Sequence, residues 1–83
     1  MILAAQKVFD KINNKDDFDQ TKNELAKMDL RQSGREEIIF HMGDGSAIGF
    51  YGPQFDYSLR KTKRLINIYQ GAKWLNSKLF EDE

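Results

Sequence analysis

The chain has 83 residues, 40% of them apolar, including six Phe, three Tyr and one Trp, and its 13 basic and 13 acidic side chains balance to zero net charge. That length leaves room for one core, so a single domain over 1–83 is expected, and the absence of cysteine removes disulfide frameworks and thiolate metal sites. No run approaches the roughly 18 apolar residues of a membrane span, and Gln6, Lys7 and Asp10 interrupt any signal-peptide core, so a reducing, cytoplasmic setting without membrane contact is expected.

Ile2, Ala5, Val8, Phe9 and Ile12 fall on one helical arc with Lys7, Asp10 and Lys11 opposite, which predicts a short amphipathic helix ending near Asn13 and Asn14. Asp16 or Asp17 then resembles an N-cap, with Gln20 in capping-box position, and predicts a second helix over about 17–29 that ends before Ser33-Gly34. Its stripe of Phe18, Leu25 and Met28 is the narrower one. From Glu36 the pattern becomes β-prone: Ile38, Ile39, Phe40 and Met42 lead into Gly43-Asp44-Gly45, and Ala47 to Tyr51 resumes the run. A Gly-rich turn between two such runs predicts a hairpin, with Gly52-Pro53 ending the second strand and Gly49 marking a bulge or an approaching aromatic ring. Two strands alone are marginal in water, so the hairpin must lie on helices.

Asp56 or Ser58 can cap a final helix reaching about Leu79, with Leu65, Ile68, Tyr69, Ala72 and Leu79 on one side and Arg60, Lys63, Arg64, Asn67 and Lys78 on the other. Trp74 falls on the polar side: either Gly71 breaks the helix and returns the indole to the core, the more usual place for Trp, or Trp74 is an exposed interface anchor. Glu81-Asp82-Glu83 reads as a free acidic tail. The fold class implied is α+β, two N-terminal helices and a C-terminal helix packed on a β-hairpin.

Chemistry is sparse along the chain. The one histidine, His41, sits in the first predicted strand with only Asp44 and Ser46 near enough in sequence to orient it, which is no recognised triad spacing. Asp17, Asp19 and Thr21 resemble the opening of a calcium loop, but Lys22 and Met28 stand where glycine and a bidentate glutamate are required. The glycines at 43, 45, 49 and 52 match no phosphate-loop spacing, since Ile48 occupies the position a dinucleotide fingerprint gives to glycine. A non-enzymatic protein without cofactor or metal is expected.

Charge supplies the remaining signal. Residues 57–78 contain Arg60, Lys61, Lys63, Arg64, Lys73 and Lys78 and no acid, so an anionic partner is indicated unless these cations complement the acidic first half of the same fold. The expected function is a small protein-binding module, a regulator or inhibitor of the kind viruses and mobile elements encode, acting by surface occlusion on a protein with an acidic surface. Arg60, Lys63, Arg64 and Lys78 would form its cationic face, with Tyr51, Phe55, Tyr57 and Trp74 as aromatic anchors. A nucleic-acid binder using the same basic helix is the alternative, and the hairpin edge could pair with a second copy.

Overall fold

The first apolar spacing becomes a helix over Ala4–Lys11 (α1) in a computed structural model that describes residues 2–82. Ala5, Phe9 and Ile12 are buried, with Val8 packed beside them. Leu3 occupies the N-cap and offers no side-chain acceptor, so the first-turn amides need a partner from elsewhere. They find it in the β-turn of the hairpin: Ala4 N–H donates to Asp44 Oδ2 (2.8 Å) and Ala5 N–H to Ser46 Oγ (3.1 Å). Ser46 in turn donates to Asp44 Oδ1 from both its hydroxyl and its amide. The Ser46 hydroxyl, followed by the Ala4 and Ser46 amides, holds the Asp44 carboxyl down at about 2.

The sign of that shift gives a pH prediction. A carboxyl whose folded pKa lies below its unfolded value of 3.8 stabilises the fold above that value and loses the contribution as pH falls through about 2. Asp44→Asn should therefore be less stable than the parent at about pH 6, and the difference should vanish as pH falls toward about 2. Urea unfolding of both chains across that range checks it.

The second helix, Lys15–Ala26 (α2), starts and ends earlier than its sequence pattern predicts. Asn14, not Asp16 or Asp17, is the N-cap: its Oδ1 accepts the Asp17 amide (2.8 Å), and Asp17 Oδ2 reaches back to accept the Asn13 amide (3.0 Å). This is the reciprocal logic of a capping box, three residues upstream of the predicted one. Phe18 and Leu25 are buried from α2, whereas Met28 lies beyond its end and is exposed.

The rest of the chain is a five-stranded antiparallel meander in sequence order: β1 Arg31–Ser33, β2 Glu37–His41, β3 Ser46–Asp56, β4 Lys61–Gln70 and β5 Lys73–Asp82. The predicted hairpin is β2–β3, turned at Gly43 and Gly45 with the positive φ that glycine supplies. The predicted C-terminal helix does not exist. Its residues form β4 and β5, folded back at Gly71, which adopts φ 59°. Ile66 and Ile68 point into the core while Leu65, Asn67 and Tyr69 point away, so the apolar side read as one helical face mixes the two faces of a strand. Glu81 and Asp82, expected as part of a free tail, pair with Lys63 and Thr62, and Asp82 also meets Lys15 and Arg64; Glu83 lies outside the described residues.

Gly52-Pro53 does not end β3 either. The ladder shifts register between Tyr51 and Gln54 and then resumes to Asp56. Gly52 (φ 101°) packs so closely on β4 that a Cβ there would collide with the Lys63 carbonyl, so only glycine allows this bulge. Beyond it, β3 and β4 continue as an arm closed by a turn at Tyr57–Arg60, with β5 still paired to Thr62 and Lys63 along its base.

Both helices cover one face of the sheet. Phe50 lies at its centre, edge-to-face with Phe18 of α2 (centroids 5.3 Å apart) and Phe40 of β2 (5.7 Å). Ile48, Ile66 and Ile68 complete the interior, with Leu75 and Phe80 of β5 at its margin.

Candidate protein-binding surface

The second face of the sheet carries its own side chains as cover. Across β2 to β5 they fall in three registers: Glu37, Tyr51, Leu65 and Leu79; Ile39, Gly49, Asn67 and Ser77; His41, Ala47, Tyr69 and Trp74. Gly49 is fully paired with no bulge, and what approaches it is the Glu37 side chain instead of an aromatic ring: a Cβ at 49 would strike the Glu37 carboxylate. Laid across that gap, Glu37 accepts from Asn67 Nδ2 (2.8 Å) and from the Tyr69 hydroxyl (2.9 Å), while Asn67 Oδ1 accepts from Trp74 Nε1 (3.2 Å). A four-residue polar network thus fixes the centre of this face. Sequence inspection missed Glu37, Asn67 and Tyr69 as a group; the alternation Leu65-Asn67-Tyr69 would have grouped two of them once β4 was read as a strand.

Burial first, then the hydrogen bond and charge of Glu37, push the Tyr69 phenol up to about 12. Its folded pKa lies above the unfolded value of 10.0, so this contribution to stability is intact below 10 and is lost as pH rises through about 12. Glu37→Ala removes two of the three causes and should bring the last phenol to ionise back toward 10, read as absorbance at 295 nm in an alkaline titration. An unmoved midpoint would mean that burial alone sets it.

His41, at the end of β2, is half-buried, and its Nε2 meets Ser33 Oγ of β1 at 2.8 Å. Asp44 and Ser46, the residues close to it in sequence, are engaged with α1 instead. Burial and the nearby Arg31 guanidinium lower the imidazole pKa, so Ser33 faces a neutral ring with no carboxylate bonded to it among the described residues. Such a pair lacks the orienting group of nucleophilic catalysis.

The eight residues expected to contact a partner divide into three sets. Arg64 and Lys78 are consumed by the fold. The Arg64 side chain is 12% exposed and donates to both oxygens of Asp19 (3.0 and 3.2 Å) and to Asp82 (3.4 Å). Lys78 Nζ caps α1, donating to the carbonyls of Phe9 (2.8 Å) and Ile12 (2.9 Å) above the Phe9 ring. With no C-terminal helix, the continuous cationic face does not form. Trp74 is 55% exposed at the start of β5, so of its two readings the exposed one holds, and it lies near the β4–β5 turn, apart from the arm.

Tyr51, Phe55, Tyr57, Lys63 and Arg60 come together. The first four line an open groove of about 600 Å³ between the arm and the sheet, floored by Leu65 and Leu79, and Arg60 belongs to the turn that closes the arm. Asp56 Oδ1 shapes that turn by accepting the amides of Ser58 (2.9 Å) and Leu59 (3.1 Å). Phe55 and Tyr57 stack edge-to-face with centroids 4.8 Å apart, yet Tyr57 is 85% exposed and Leu59 58%. Leu59 has no place in the sequence-based set.

The hairpin edge expected to receive a second copy is largely closed: β1 pairs with β2 over Ile39–His41, and β4 covers β3. No helix of the described residues is long and apolar enough to cross a membrane, and no group of three metal-ligating side chains gathers among them. Compared with protein-family models, curated proteins and solved structures, the chain matches none.

Proposed function

We propose that this chain is a non-enzymatic protein-binding module that regulates or inhibits a larger protein by occupying part of its surface, with the β3–β4 arm as the contacting element. The observation that carries the reading is the cluster of Phe55, Tyr57 and Leu59, all exposed on an arm whose backbone is held by a ladder and by Asp56. Exposed aromatic side chains gathered on a preorganised element are what a binding hot spot requires, since little conformational freedom remains to be lost on docking. What weighs for protein over nucleic acid is the Glu37 carboxylate, set among the aromatic rings of the open face, where a phosphate backbone would meet like charge.

The test is affinity capture from the source cell with the parent chain and with Tyr57→Ser/Leu59→Ser, two exposed positions whose change should leave folding intact. Loss of a stoichiometric protein from the variant capture is the expected result. Equal capture by both would end the reading.

A further inference from the structure

Resting on that reading of the arm, we infer that the groove between the arm and the sheet receives an acidic segment of the partner, which inserts one large apolar side chain between Tyr57 and the Leu65–Leu79 floor. Two observations bear on the occupant. The groove is lined by Tyr51, Phe55, Tyr57, Leu65 and Leu79 with Gln54, Asp56, Ser58 and Lys63 among them, and is large enough, at about 600 Å³, for a bulky side chain together with the backbone that carries it. Lys63 lines it, Arg60 and Lys61 follow in the adjoining turn and the start of β4, and none of the three has a carboxylate within ion-pair distance among the described residues.

What distinguishes these three is their place beside an apolar groove, since Lys7, Lys11, Lys27, Arg31, Arg35 and Lys73 also have no ion pair among the described residues. Lys15, Arg64, Lys78 and Lys22 are each engaged, with Asp82, Asp19, the end of α1 and the Gly52 carbonyl respectively. Of the nearest acids, Asp56 is turned to its own turn amides and Glu81 stands across the ladder from Lys63 without closing an ion pair. Unpaired cations beside an apolar groove complement an acidic sequence with an apolar anchor: the anchor supplies affinity and the charges steer and select. A second copy does not meet that description. The acid-rich stretch of this chain is folded into α2, where Asp17 and Asp19 are already bonded to Asn13 and Arg64.

The experiment titrates the isotopically labelled full chain, followed by amide NMR, with synthetic probes of equal length: a glutamate-rich peptide with a central Trp, its lysine-rich counterpart, the glutamate-rich peptide with Ser for Trp, and an oligothymidine. The expected result is shifts confined to Phe55–Lys63 and the neighbours of Leu65 and Leu79, with the acidic Trp peptide binding at least about tenfold tighter than the other three. Lys61→Glu/Lys63→Glu, checked for an unchanged spectrum, should reverse the preference toward the lysine-rich peptide. The inference is overturned by equal binding of the lysine-rich or Ser peptide, by tighter binding of the oligothymidine, or by no shifts at millimolar peptide. Should it fail while Tyr57→Ser/Leu59→Ser still abolishes capture, only the acidic occupant is lost. Capture unaffected by that variant removes the arm itself.

Discussion

Phe50→Ala should cost about 3–5 kcal/mol, the usual range for deleting a buried aromatic side chain, and so remove a large share of the stability of the fold. A domain of this size has a total stability of only about 5–10 kcal/mol to draw on. Phe50 is fully buried and is the ring that both Phe18 and Phe40 contact edge-on, so its loss breaks two aromatic contacts as well as emptying the space between α2 and the sheet. The pairing around it is rigid: β2 lies on one side with Ile38 opposite, β4 on the other with Ile66. Neighbouring strands held in register cannot collapse into the void. Phe50→Leu keeps most of the volume and should cost no more than about 1.5 kcal/mol. Urea midpoints for the two variants decide the matter; a loss below about 1 kcal/mol for Phe50→Ala would mean that the aromatic cluster is not what joins helix to sheet.

The half of the molecule that could be read from sequence is the half where only one period fits. In α1, the spacing of Ala5, Phe9 and Ile12 matches a helix that buries one stripe, and β2–β3 announced themselves by a glycine turn between β-prone runs. The segment from Lys61 to Asp82 gave no such choice. β4 is a central strand with Ile66 and Ile68 under the helices and Leu65 and Tyr69 on the open face, so its apolar residues, broken only by Asn67, show no alternation and fit a helical wheel equally well. Gly71 was visible as a break, but a helix interrupted at glycine and a tight turn between strands have the same local composition. β1 is three residues long and wholly polar, and it forms because β2 presents an edge, which no local pattern records. The aromatic residues of the candidate surface can be picked from the sequence because rings are conspicuous under any secondary structure. Its cations do not share the one helical face the sequence pattern predicts, and whether a charge is free depends on what tertiary packing brings opposite it.

Arg64 shows that dependence most directly, and Arg64→Ala should destabilise the fold by about 2 kcal/mol. The guanidinium is buried on the helix side of β4, where it spans Asp19 of α2 and Asp82 of β5 and lies 6.0 Å from the Phe18 ring. Deleting it removes three charge-assisted hydrogen bonds, leaves Asp19 unpaired and leaves Asp82 with Lys15 alone. Both acids keep contact with water, with side-chain exposures of 47% and 33%, which holds the cost below the 3–5 kcal/mol typical of a fully buried pair. Arg64→Lys should recover only part of the loss, because an ammonium cannot present the parallel donors that meet both Asp19 oxygens. Lys63→Ala, one residue away but turned to the groove, should change stability by less than about 0.5 kcal/mol. The pair of variants separates structural from recognition charge in adjacent residues: urea unfolding should register Arg64 alone, and binding of the acidic Trp peptide to a folded protein should register Lys63. Equal stability losses at the two positions would mean that Lys63 is also spent on the fold, and the groove would then have no steering charge of its own at that wall.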